Sequence, residues 1–284
     1  MPKITLLPPC KSLSSFVKNY QYLEFDTEQK DLIKPWHALP EAYLVFFLND
    51  RPLGMVSEKG RSLFEVQSNI WIQGLATHFN GLMKFNGTYR IWLVQFLPSG
   101  FQRLLGLPLD GITNQLVDAE GIWGQKCSDL QKRLQDSVKP EEMAILVDAF
   151  LRNFISLKNL HNEKDPITIV SNEINRTQSF ANINVYAKKA NMSTRNFERK
   201  FREQVGTSPK LYCQLLRFLH AVELKSALPQ KNWTEITYEC GYFDQMHLIK
   251  DFKRFSDSTP QNFFLNTPPP LVEYSKEPRE FSIG

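Results

Sequence analysis

The sequence has no Cys-x-x-Cys pair, no His-x-His pair, no glycine-rich phosphate loop and no Gly-x-Ser-x-Gly elbow. Those absences remove the commonest local signatures of zinc sites, nucleotide hydrolysis and serine-nucleophile catalysis. Its cysteines, Cys10, Cys127, Cys213 and Cys240, are scattered. They read as small buried hydrophobes kept as thiols, not as a disulfide framework. No apolar run reaches the roughly 18–20 residues of a membrane span. The opening residues, MPKITLLPPCKSLSSF, lack a basic stretch followed by a long apolar one, so a cytoplasmic protein without membrane contact is expected. Within residues 1–110 the only histidines are His37 and His78, 41 positions apart. A barrel-type metal enzyme needs three or four ligands close together. No metal, no cofactor and no catalytic activity are therefore expected.

What is present is a chain of 284 residues, 42% hydrophobic and 23% charged. Those values fit a folded protein long enough for two domains. Its charge is unevenly placed. Residues 1–165 are neutral, residues 166–266 carry 14 Lys and Arg against 9 Asp and Glu, and the last 18 residues are net −1. An excess of positive charge confined to one segment is expected of a phosphate-contacting module on a neutral partner.

The segments EAYLVFFLND, SNIWIQGLA, GLMKFNG and YRIWLVQFLP are short, aromatic and β-branched, with Gly, Pro, Asn and Asp between them. They predict strands of a β-sandwich or barrel over residues 1–110. After Gly124 the pattern becomes helical. Met143, Val147, Phe150, Leu151, Phe154 and Leu157 form one apolar stripe of a helix that Pro140, Glu141 and Glu142 would open. The stripe fits either packing within the chain or a homodimer through residues 140–160. Asn159–Pro166 reads as a linker, Ile167–Leu265 as helices, and the tail with Pro268, Pro269 and Pro270 as extended chain. Trp36, Tyr43, Phe47, Trp71 and Trp92 are candidates for an effector pocket taking an apolar or aromatic small molecule. The same rings would equally fill a small barrel.

The helical part contains a repeat. Phe197, Phe201, Arg202, Pro209 and Tyr212 recur 51 positions later as Leu248, Phe252, Lys253, Pro260 and Phe263. Upstream the offset is 50, pairing Ile183 with Trp233 and Tyr186 with Ile236, so the second turn holds one extra residue. Two copies of one supersecondary unit are implied. In the first, Ser193 caps a helix that Gly206 ends; in the second, Asp244 caps, with Asp257 where glycine would be the better stop. Arg195, Glu198, Arg199 and Arg202 share the outer face of the first helix. Gln245, Met246, Ile249, Lys250 and Lys253 share that of the second. Such faces suit a DNA major groove, where Arg pairs with guanine, Gln with adenine, and Met or Ile meets a thymine methyl. Two helical hairpins with solvated outer faces are the alternative. Between the copies, Ser208 and Pro209 open a longer helix with Leu211, Leu215, Leu219 and Val222 on one side.

The run GYFDQMHLIKDFKRFSDSTPQNF resembles the signature of AraC/XylS-type regulators, and AKKANMSTRNFERKFREQVGTSPKLY is similar to the first unit of that family. The resemblance implies a domain of seven helices with two helix-turn-helix units on one face of double-stranded DNA. It puts base contacts at Arg195, Glu198 and Arg199, and at Gln245, Met246, Ile249 and Lys250. VQFLPSGFQRLLGLP with PEAYLVFFL resembles the sensor part of one branch, a cupin-like β-barrel followed by helices. An α+β protein is thus expected: residues 1–124 a cupin-like sensor, 125–165 a helical dimerisation or linker region, 166–266 the DNA-binding domain, and 267–284 a tail. A small-molecule effector and, for an activator, RNA polymerase are the implied further partners. A scaffold without DNA contact and a cupin-type metal enzyme are the rival readings.

Overall fold

A computed structural model describes residues 3–56, 62–64, 68–158, 165–177 and 182–266. Most of the expected linker and the proline-containing tail lie outside the described residues. Ten strands come first: β1 (Lys3–Leu7), β2 (Val17–Asp26), β3 (Leu32–Pro35), β4 (Tyr43–Phe47), β5 (Gly54–Val56), β6 (Ser62–Phe64), β7 (Ile70–Gln73), β8 (Leu82–Phe85), β9 (Thr88–Phe96) and β10 (Leu116–Asp118). They form an antiparallel six-stranded sheet, β1-β2-β9-β4-β7-β10, and a four-stranded one, β3-β8-β5-β6. The expected barrel takes the form of these two facing sheets.

Residue alternation divides the larger sheet between two cores, because successive side chains leave a strand on opposite faces. Leu23, Tyr43, Val45, Phe47, Trp71, Ile91 and Leu93 face the smaller sheet and Phe85. Tyr20, Leu44, Phe46, Ile70, Ile72, Trp92 and Val94 face helices. Both faces of β4 are consequently buried, and the layers run small sheet, large sheet, helices.

The covering helices are α1 (Gly100–Leu105), α2 (Glu120–Trp123), α3 (Gln125–Asp136) and α4 (Pro140–Lys158). Close packing of α1 demands glycine at its first residue, since a Cβ on Gly100 would lie 1.9 Å from the Phe16 carbonyl oxygen. The stripe of α4 is used within the chain. Met143, Val147 and Leu151 are wholly buried in the core behind the sheet, and Phe150 and Phe154 pack on it beside Trp123. Of the two uses open to the stripe, packing within the chain accounts for these five residues. Tyr20 donates to Asp148 across 2.6 Å and so pins β2 to the same helix.

Seven helices follow: α5 (Pro166–Thr177), α6 (Ile183–Lys189), α7 (Thr194–Val205), α8 (Pro209–Ala227), α9 (Trp233–Glu239), α10 (Gln245–Ser256) and α11 (Pro260–Asn266). None of the described helices is long and apolar enough to cross a membrane.

Candidate nucleic-acid interface

In the first repeated unit Asn182 caps α6 by accepting from the Asn184 amide. The chain turns at Asn191 in the left-handed region, φ 53°, and the Met192 amide donates to the Ala187 carbonyl at 3.0 Å. Ser193 caps α7, and Gly206, at φ 91°, ends it. Phe197, Phe201 and Val205 are fully buried, while Arg195, Arg199 and Arg202 are exposed and Glu198 is half-buried. Arg199 reaches Glu203 at 3.4 Å and Asn196 at 3.1 Å. Among the described residues no ion pair joins Glu198 to Arg195 or Arg202.

The second unit repeats this geometry. A capping box between Asn232 and Glu235 opens α9, Gly241 turns the chain at φ 69°, and the Tyr242 amide donates to Thr237 at 2.9 Å. Asp244 caps α10 through the His247 amide, and Asp257 ends the helix in the left-handed region at φ 57°. Leu248, Phe252 and Phe255 are buried; Gln245, Met246, Lys250 and Lys253 are exposed, and Ile249 is half-buried. A hydrogen bond ties the first residue of α7 or α10 back to the preceding helix in each unit. Thr194 donates to Asn184 at 2.9 Å, and Gln245 to Thr234 at 2.6 Å.

Helix α8, 19 residues long and so roughly 28 Å, lies between the units. Tyr212 and Leu216 enter the first core; Leu215, Phe218, Leu219 and Val222 enter the second. Sequence reasoning found one side of this helix and missed Arg217. That guanidinium donates to the Gly241 carbonyl at 3.1 Å, covers the Tyr242 ring at 4.4 Å and lies 4.0 Å from Asp251. It fixes the turn of the second unit. Burial raises the Asp251 carboxyl above its ordinary range, opposed by the Arg217 charge.

The N-terminal part grips both units from behind. The last carbonyls of a helix have no partner within it, and here several find one in the other domain. Leu109 donates to Glu203 of α7 at 2.9 Å, while Ala38 and Phe79 donate to Phe255 and Arg254 of α10 at 2.9 and 3.1 Å. The Thr113 hydroxyl reaches the Gly206 carbonyl at 2.6 Å. Each grip holds the C-terminal end of a helix and leaves the opposite end outward.

Trp36, Tyr43, Phe47 and Trp71 line a cleft of about 130 Å³ between the sheets, with Lys34, His37, Leu39 and Met83 among its other walls. Trp92 is on the opposite face of β9, 5.5 Å from Tyr20, because alternation sends Ile91 and Leu93 to the cleft instead. His37 also touches Phe79 and, at 5.1 Å, Phe263 of α11. Burial pushes its imidazole down to about 4 and lowers the Lys34 ammonium. The Trp36 indole N–H and both His37 nitrogens are buried without a hydrogen-bond partner among the described residues. No group of three His, Cys, Asp or Glu suited to a metal occurs among them.

Residues 186–266 match the family described as a helix-turn-helix domain, and residues 5–118 match a domain of unknown function, DUF6597. Over 76 residues the chain is 32% identical to the HTH-type transcriptional activator RhaS of Citrobacter koseri, covering 27% of this chain and 27% of RhaS. The chain therefore spans about a quarter of the length of the curated relative it matches. Of solved structures, ToxT from Vibrio cholerae O395 aligns with 89% of this chain and 98% of its own at 11% identity and a TM-score of 0.44. The AraC-like transcriptional activator CuxR aligns with 78% and 86% at 12% identity and a TM-score of 0.23. Residues 186–266 are therefore a helix-turn-helix domain, built of two capped units, and the chain resembles AraC/XylS-type regulators there.

Proposed function

We propose that the chain is a sequence-specific DNA-binding transcription regulator without catalytic activity, acting in the cytoplasm. The observation that carries this reading is the pair α7 and α10, held by α8 with matched caps and outward basic faces. Two helices so linked enter successive major-groove faces roughly 34 Å apart. Arg195, Glu198, Arg199 and Arg202 suit guanine-cytosine steps and phosphates. Gln245, Met246, Ile249, Lys250 and Lys253 suit adenine-thymine steps, so the site is asymmetric and covers about two turns. Fluorescence anisotropy with the DNA upstream of the protein's own gene tests this. Arg199→Ala or Lys250→Ala is expected to weaken binding by about 1–3 kcal/mol if a base contact is lost. Equal affinity for random DNA, unchanged in both variants, overturns it. RNA polymerase is the further partner if the regulator activates.

The cleft supports an effector reading. Its room is close to the roughly 150 Å³ cavity that accepts benzene in another protein, so it fits a ligand built on a single ring. The unpartnered Trp36 N–H and His37 nitrogens, beside Lys34, favour one carrying an acceptor oxygen. Such a ligand would press on Trp36–Leu39, the segment that also caps α10. In a thermal-shift screen, single-ring acids and phenols are expected to stabilise the protein, and Trp71→Ala to abolish the shift. A screen without one stabilising compound of either class sinks the effector.

A further inference from the structure

The backbone identifies the extra residue of the second turn. Met192 and Tyr242 make the same amide bond back to the preceding helix, to Ala187 and Thr237, and Ser193 and Asp244 are the matching caps. Between Tyr242 and Asp244 stands one residue with no counterpart in the first unit, Phe243. It is 85% exposed, more than any other large hydrophobic among the described residues. Its ring does not serve the fold, since Leu248, Phe252 and Phe255 fill the core below it. It is nonetheless held in place: it meets the His247 ring edge-on at 6.0 Å and 85°, and His247 is tied to Asp244 at 2.8 Å. Met246, three positions further on, is 60% exposed. The two form an apolar tip at the N-terminal end of α10.

A recognition helix meets base edges with its N-terminal residues, and the thymine C5-methyl is the apolar group in the major groove. From the insertion, its exposure and its place at that end, we propose that Phe243 is a specificity-determining residue that packs on a thymine methyl in the part of the operator read by the second unit. The proposal rests on the DNA-binding reading and sharpens it. It makes the inserted residue a reader that the first unit lacks.

The test uses the full chain and its operator, with each thymine in turn replaced by deoxyuridine, which removes only the methyl. At one position the substitution is expected to weaken the wild-type protein about four-fold, the worth of one buried methyl-sized group. Phe243→Ala should bind the normal operator at least about four-fold more weakly and be indifferent to deoxyuridine there, while Phe243→Leu recovers most of the affinity. Urea midpoints of the variants should equal that of the wild type, since the ring is outside the core. Phe243→Ala that binds like wild type, or that keeps the same response to deoxyuridine, overturns the proposal while leaving operator binding intact. A wild-type protein that does not distinguish operator from random DNA overturns both readings.

Discussion

Replacing Phe252 with alanine is expected to cost about 3–5 kcal/mol, the range for a fully buried phenylalanine whose cavity cannot collapse. Its ring lies 4.9 Å from Phe218, 5.6 Å from Trp233 and 5.6 Å from Phe263, so it touches α8, α9 and α11 at once. Those residues belong to a core separate from that of the first unit. The loss should therefore fall on the second unit. Urea unfolding followed by the fluorescence of Trp233 should shift to lower denaturant, with operator affinity lost alongside. Phe201→Ala removes an equally buried ring that contacts Phe197 and Tyr212, but its core continues into the N-terminal sheet and α4. Its effect should reach the whole chain. A Phe252→Ala protein destabilised by less than about 1 kcal/mol would show that this core repacks freely.

The second large effect is one of pH. The His37 imidazole is buried between the cleft, Phe79 and Phe263, and its pKa falls from the ordinary 6.5 to about 4. The unfolded chain then binds a proton that the folded one refuses, so this contribution is complete above pH 6.5 and is lost as pH falls towards 4. At about 1.4 kcal/mol per unit, the loss reaches roughly 3 kcal/mol. Asp251, raised by burial, works in the opposite direction. Comparing the wild type with His37→Phe cancels that contribution, because both proteins contain Asp251. Between pH 7 and 4 the stability of the wild type should fall by about 3 kcal/mol more than that of the variant. Parallel profiles would place His37 in contact with water. Since the ring rests on α11, separation of the second unit from the sheets is the cheapest way to hydrate it. Domain opening should accompany the loss.

The helix-turn-helix units were legible because several local signals agree: the period of the phenylalanines, Ser193 and Asp244 as caps, and the change of offset in the turn. The change of offset located an extra residue, but only the backbone bonds identify it as Phe243 and show it exposed. Aromatic content marked the cleft without giving the face, so Trp92 was grouped with residues that alternation places opposite to it. Strand β2 escaped notice because Gln21 is buried on it, paired with Gln95 at 3.0 Å, and interrupts the apolar pattern. The stripe of α4 was clear, but a stripe does not say whether its partner lies in the same chain. The grips on α7 and α10 join residues more than 90 positions apart, where no local pattern reaches.

Those grips bear on how such a protein can be taken apart and recombined. The boundary between cores runs through the helix-turn-helix domain, leaving the first unit with the sheets and the second with α8 and the Ala38 segment. A fragment beginning at Pro166 would leave the carbonyls of Glu203 and Phe255 to water and strip the cover from Gly206, where Thr113, Leu75 and Leu109 crowd the Cβ position. A chimera with a foreign sensor would keep both readers in register only if it carried over the residues that hold them, Ala38 and Phe79 for one and Leu75, Leu109 and Thr113 for the other.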